Sequence, residues 1–423
     1  MSAGGAFFAL LLALLGVVAV SSRQLYQATQ DSPPDVTSLP VLVAFGDSLT
    51  DTGNYWKLNN ASMRLYAQGR FSNGPVWIDY LPQQPSPLPG LLQGNSTPVQ
   101  IPAVAAAGAG AAAGAGGTAW QVVNYAVGGA TSCRQEMTSP SVQDQVGRYL
   151  ACLPPWKDMG PRRICSSSEA SPMAAVAMML VGANDFINAT SAAVGNATDP
   201  AVVAASVTTA LQAVPERIAA CTLEAARLLL GLGPNASCGG RGRAVQQLVI
   251  MDLPAADDTP LMRATLPEPL LPLLADALKA YSVLLAAGVQ RLNTALVKCD
   301  TGVTGKVHLF AIGGLKAQVQ ALASMKGATD LTTPCLVKDS AGKGMEGNGS
   351  SEYSSCPDPG KHFYWDELHP SATVHEISGN YIRGLLAQAL QCTCYWSYMK
   401  VNNMSSVAVL TAGEAPHPSS LSA

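Results

Sequence analysis

Five short apolar runs, separated by long segments of helical periodicity, constrain this chain more than any other feature. They occupy 41–45, 122–126, 174–181, 245–253 and 306–312. Within the separating segments, over 201–230 and 274–297, apolar residues recur every three or four positions, the spacing of a helix packed on a sheet. Such alternation predicts an α/β domain: a central, mainly parallel sheet with helices on both faces. No charged or Pro-rich linker divides it, so one domain is expected over 40–395. Two stretches break the pattern. Residues 81–118 begin Pro-rich and end in an Ala/Gly tract that can bury little surface, which reads as a flexible insertion. Residues 338–353, rich in Gly, Ser and Lys and flanked by Cys335 and Cys356, read as a surface loop.

The ends of the chain differ in character from this core. From Ala6 an apolar run of about 15 residues leads to Ala19-Val20-Ser21-Ser22, the form of a secretory signal peptide over 1–22. The run carries no Lys or Arg before it and approaches the length of a span, so an uncleaved signal anchor is the alternative. A polar lead-in follows over 23–39, and a Pro- and Ser-containing tail over 396–423 is expected to be disordered. Export also fits ten cysteines, an even number without a Cys-x-x-Cys pair, and seven N-glycosylation acceptors: Asn60, Asn95, Asn188, Asn196, Asn235, Asn348 and Asn403. The expectation is a secreted, disulfide-bonded glycoprotein with no stable membrane insertion once the signal is removed. A net charge of −3 gives no electrostatic reason for a nucleic-acid partner.

Chemistry enters where the first run stops. Phe45-Gly46-Asp47-Ser48-Leu49-Thr50 places a serine just past a strand, at the edge where open α/β sheets carry their sites. A serine hydroxyl is a weak nucleophile until a base takes its proton. The base is supplied far along the chain by Trp365-Asp366-Glu367-Leu368-His369-Pro370. Pro370 turns His369 away from α geometry and suits a first helical position, so His369 is expected on the loop ahead of a helix. Asp366, three residues earlier, can accept from one imidazole nitrogen and leave the other for Ser48. Each piece has a plainer reading, as a helix N-cap for Ser48 and a capped helix start for Asp366 and His369. The remaining histidines, His308, His362, His375 and His417, stand in no such context. Asp47 and Asp51 are read as stabilisers of the turn through bonds to backbone N–H groups, and no metal motif is formed.

Four blocks in order give a wider resemblance: Gly46-Asp47-Ser48-Leu49, Asn124-Tyr125-Ala126-Val127-Gly128-Gly129-Ala130, Gly182-Ala183-Asn184-Asp185 and Asp366-Glu367-Leu368-His369. With Gly69-Arg70-Phe71-Ser72-Asn73-Gly74 beside them, the chain resembles a plant-type member of the GDSL esterases and lipases, within the SGNH hydrolases. That resemblance implies a flavodoxin-like three-layer α/β/α fold. It implies Ser48 as nucleophile, His369 as base, Asp366 as its orienting partner, and an oxyanion hole from Ser48, Gly129 and Asn184, with Gly128 as the alternative glycine. No cofactor and no metal are implied. The substrate would be an ester: an acyl lipid, a small ester or an acetylated polysaccharide. One departure stands out. Where the family shows a Leu-Pro-Pro-Leu-Gly-Cys-like turn, this chain has Leu253-Pro254-Ala255-Ala256-Asp257-Asp258-Thr259-Pro260, so specificity does not carry over. Two other functions share the machinery: an acyltransferase passing the same acyl group to an alcohol, and a silent secreted glycoprotein that retains the fold for binding. Oligomeric state has no signature in the sequence.

Overall fold

The computed structural model describes residues 41–60, 63, 65–82, 121–135, 139–158, 174–238, 242–299, 306–338 and 353–401. The proposed signal peptide, the lead-in and residues 83–118 of the expected insertion lie outside the described residues. Five strands form the central sheet: β1 (Val41–Gly46), β2 (Gln121–Asn124), β3 (Ala174–Leu180), β4 (Val245–Met251) and β5 (Lys306–Phe310). All four pairings are parallel, in the order β2-β1-β3-β4-β5. This is the flavodoxin-like order, and the direction of winding reverses between β1 and β3, where such folds place their ligand. Leu42 to Phe45 and Val176 to Leu180 are buried throughout, as strands covered on both faces must be.

The helices follow from caps and stripes. They are α1 (Asn54–Asn59), α2 (Val142–Leu150), α3 (Ala183–Val194), α4 (Pro200–Leu229), α5 (Pro260–Thr265), α6 (Leu271–Cys299), α7 (Lys316–Met325) and α8 (Ala372–Val401). At the start of α4 the Asp199 carboxylate accepts from the Ala201 N–H at 2.8 Å, and Pro200 fills the first helical position. Its stripe of Val203, Val207, Leu211, Val214 and Ile218 is buried, and α4 packs along α6, whose Leu274, Tyr281, Leu285, Leu292 and Leu296 close the same layer. α8 packs on the short turn Trp77–Tyr80.

Two boundaries depart from expectation. Leu81 is 2% exposed and belongs to the core, so the insertion starts beyond it. The last helix continues to Val401, past the boundary drawn at 395, because the Ala- and Leu-containing segment from Ala372 meets no proline.

Disulfides tie loops to this frame. Cys133–Cys221 joins the segment after β2 to α4, Cys238–Cys299 joins the approach to β4 to the end of α6, and Cys335–Cys356 closes the loop that brackets 339–352. Cys152 is also disulfide-bonded. The first of these closes 88 residues of chain and so restricts the unfolded state strongly. Replacing both partners, Cys133→Ser with Cys221→Ser, is expected to cost about 2–5 kcal/mol of stability. Urea unfolding in oxidising buffer measures this, and an unchanged midpoint would refute it.

Candidate active site

Ser48 stands two residues past the end of β1 because the chain must turn there. Gly46 lies so close to β3 that an added Cβ would sit 2.4 Å from the Leu180 carbonyl oxygen. The buried Gln145 amide on α2 clasps the same residue, accepting from the Gly46 N–H at 2.9 Å and donating to its carbonyl at 2.8 Å. Beyond it the Thr50 and Asp51 N–H groups both donate to the Asp47 carbonyl at 3.0 Å, and the Leu49 N–H donates to Asp47 Oδ1 at 3.1 Å. Ser48 is held on this turn with 5% of its surface exposed.

The segment around His369 is fixed from several sides. Trp365 donates its N–H to the His369 carbonyl at 2.7 Å, Leu261 N–H donates to Glu367 O at 2.7 Å, and Ser72 Oγ donates to Pro370 O at 3.0 Å. Pro370 lies two residues ahead of α8 rather than in its first turn, since 370 bridges to Tyr364 before the helix begins. The result is a hydrogen-bonded line: Ser48 Oγ to His369 Nε2 at 2.8 Å, and His369 Nδ1 to Asp366 Oδ2 at 2.7 Å. Asp366 also accepts from the Leu368 and His369 N–H groups through Oδ1, at 2.8 and 2.6 Å, and from the Tyr66 hydroxyl through Oδ2 at 2.8 Å. Burial works to raise the Asp366 pKa, but the His369 charge and these hydrogen bonds outweigh it and hold the carboxyl below its ordinary range. Because a carboxylate only accepts, the neutral imidazole carries its proton on Nδ1 and presents a lone pair on Nε2 to Ser48.

Three candidate donors follow the ends of adjacent strands β2, β1 and β3: the N–H groups of Gly129 and Ser48 and the amide of Asn184. The Ser48 N–H has no acceptor among the described residues, and neither has that of Gly129. Gly128, by contrast, spends its N–H on Asp51 Oδ2 at 2.8 Å. Gly129 takes φ 78°, a left-handed conformation that glycine adopts without strain. Asn184, at the start of α3, gives one amide hydrogen to the Ala130 carbonyl at 2.9 Å and keeps the second. Such an arrangement can stabilise negative charge on an oxygen placed between the donors.

Several residues at the site had no local signal in the sequence. Tyr66 binds Asp366 directly. Phe71 packs its ring 5.1 Å from that of His369 and against Gly128, where an added Cβ would meet the Phe71 ring at 2.3 Å. The block containing Phe71 signalled family resemblance, yet nothing local to it names the histidine it touches. His375, which stood in no catalytic context, lies in the wall of a predominantly apolar cavity that opens beside Ser48, Asn184 and His369. Its Nδ1 accepts from the Trp77 N–H at 3.3 Å, and its Nε2 has no partner among the described residues. Burial pushes its pKa down to about 3, with the nearby His369 adding to the effect. Two more buried carboxyls flank the site. Burial raises Asp47 to about 7 and Asp185 to about 6, against the backbone N–H of Leu49 for the first and of Ser132 for the second.

Comparison with known proteins agrees with this geometry. Residues 42–382 match the family GDSL-like Lipase/Acylhydrolase, most of the chain, and the protein belongs to that family. A phosphatidylcholine-sterol acyltransferase of Aeromonas hydrophila is 41% identical over 85 residues. That stretch spans 19% of this chain and 22% of the relative, about a fifth of each.

His375 generates a pH prediction. Its folded pKa lies below the unfolded value of about 6.5, so the unfolded chain binds the extra proton. The stabilisation is complete above about 6.5 and is lost as pH falls toward about 3, at roughly 1.4 kcal/mol per pH unit. His375→Asn, which keeps an acceptor for the Trp77 N–H, is expected to flatten the fall in stability between those limits. Denaturant melts of variant and wild type at matched pH values check it; parallel curves would refute it.

Proposed function

We propose that this protein is a secreted serine esterase that hydrolyses carboxylic esters through an acyl-enzyme on Ser48. The observation that carries this reading is the unbroken line from Ser48 Oγ through His369 to Asp366, with unengaged donors beside it. His369 Nε2 takes the Ser48 proton as the oxygen attacks the ester carbonyl. The resulting oxyanion is met by the N–H groups of Ser48 and Gly129 and by the Asn184 amide, donors that need no rearrangement as charge develops. His369, now an imidazolium held by Asp366, gives its proton to the departing alkoxide. Water then attacks the acyl carbonyl, losing a proton to His369, and the proton returns to Ser48 as the acid leaves.

An acyltransferase is the second reading, favoured by the Aeromonas hydrophila relative named for that activity. There an alcohol replaces water in the second step, with the same proton movements. Secretion is supported by the disulfides, which persist in oxidising compartments, and by Asn60, Asn196 and Asn235, acceptor asparagines exposed on the surface.

Ser48→Ala is expected to lower kcat on the order of 10⁶-fold while the protein stays folded. Retention of even a tenth of the rate would assign the nucleophile elsewhere. Asn184→Ala is expected to be milder, about 10²- to 10³-fold in kcat with little change in KM, because its amide acts on charge that exists only in the transition state. An unchanged kcat would remove it from the oxyanion hole. Product analysis with an added alcohol separates hydrolysis from transfer.

A further inference from the structure

The loop that departs from the family pattern, Leu253 to Pro260, forms one wall of the cavity beside Ser48. Pro254, Ala255 and Ala256 line it, opposite Leu315 and Val319 near and on α7. We propose that this cavity is an acyl pocket for a straight alkyl chain of about six carbons, with the small side chains at 255 and 256 setting the limit. The proposal rests on the esterase reading above.

Size and chemistry lead to it. The cavity measures about 140 Å³. An engineered apolar cavity of about 150 Å³ stays dry and accepts benzene, a six-carbon guest. An acetyl group would leave most of this space unfilled, and a sugar's hydroxyls would lose water and find few partners on a mostly apolar wall. An alkyl chain longer than the cavity gains nothing from the part left outside. The wall is also held in place rather than loose. Thr259 Oγ1 donates to Ala256 O at 2.9 Å, Asp258 forms ion pairs with both Lys316 and Arg263, and the Tyr364 hydroxyl donates to Asp258 O at 3.3 Å. These contacts tie the loop to α5 and α7, and a wall tied in this way favours discrimination by chain length.

The test uses the full-length oxidised protein and two ester series. In one the acid runs from acetate to palmitate with p-nitrophenol constant; in the other acetate is constant and the alcohol is lengthened. Each buried methylene is expected to raise kcat/KM about fourfold up to roughly hexanoate, after which the profile levels. Ala255→Leu is expected to reduce the hexanoate-to-acetate ratio about tenfold or more, and Val319→Ala to move the plateau to longer acids. Should Ala255→Leu fail to fold, the widening variant alone decides the question. A flat acyl profile, a rise continuing to palmitate, or a response confined to the alcohol series would overturn the proposal. Fluorophosphonate labelling of Ser48 runs beside every assay. Labelled wild type with the wrong profile removes only the pocket, whereas unlabelled, inactive wild type removes the esterase reading and the pocket with it.

Discussion

A single buried carboxylate, Asp51, carries the geometry of this site. Its Oδ1 accepts from the N–H groups of Gly53 and Asn54, both at 2.7 Å, and its Oδ2 from Tyr55 at 2.9 Å and Gly128 at 2.8 Å. Three of these donors sit at the start of α1, in the segment that follows Ser48, and the fourth comes from the loop after β2. A fully buried charge is costly, and burial pushes the Asp51 pKa up to about 6 against the pull of the four N–H groups. The offset is rigidity. Asn54 Nδ2 donates to the Asn124 and Ala126 carbonyls, and Asn124 Nδ2 returns to the Thr50 carbonyl at 2.6 Å. Because the Gly128 N–H is taken by Asp51, its neighbour Gly129 is the glycine whose N–H has no acceptor among the described residues. Two loops far apart in sequence become one preset surface.

The parts of this arrangement legible in the sequence are those with a local signature. The inner strands β1, β3 and β4, buried along most of their length, are near-continuous apolar runs; the edge strands β2 and β5 are only partly buried but keep Val122-Val123 and Val307, Leu309 and Phe310, so all five are legible, with ends displaced by a residue or two where β2 stops at Asn124 and β5 at Phe310. Ser48, His369 and Asp366 stood out because a strand end and an x-Pro turn mark their surroundings. Gln145, Tyr66 and Phe71 did not. Each acts on a residue remote in sequence: Gln145 on Gly46, Tyr66 on Asp366, Phe71 on His369 and Gly128. A tyrosine that donates to a catalytic-type carboxylate looks like any other tyrosine until the chain has folded. The Pro254–Pro260 departure was visible as a difference, but only its position against α7 gives that difference a meaning.

Pocket and line of proton transfer meet at His369, and this bears on hydrolysis against transfer. Phe71 covers one side of the imidazole ring while Pro370 and His375 lie in the wall of the cavity beside it. An acyl chain seated in that cavity would leave the second nucleophile to approach His369 from the solvent side. Water and an alcohol would compete there on equal chemical terms, since both need only a proton acceptor at Nε2. The balance is then decided by what binds outside the pocket, on a surface separate from the residues that do the chemistry.

The electrostatics of the site follow one rule: only one carboxyl near Ser48 is driven toward its charged form. Asp47, Asp51 and Asp185 are all raised, with burial the leading cause in each, whereas Asp366 is lowered because hydrogen bonds and His369 overcome its burial. Asp366, the carboxyl held most firmly in its charged form, binds the imidazole nitrogen that faces away from the serine. An imidazolium formed at His369 would be stabilised by Asp366 through the 2.7 Å bond to Nδ1, with Asp47 a further attractive charge nearby. His375 complements this from the cavity. Held neutral by burial, it would set no second positive charge against a protonated His369.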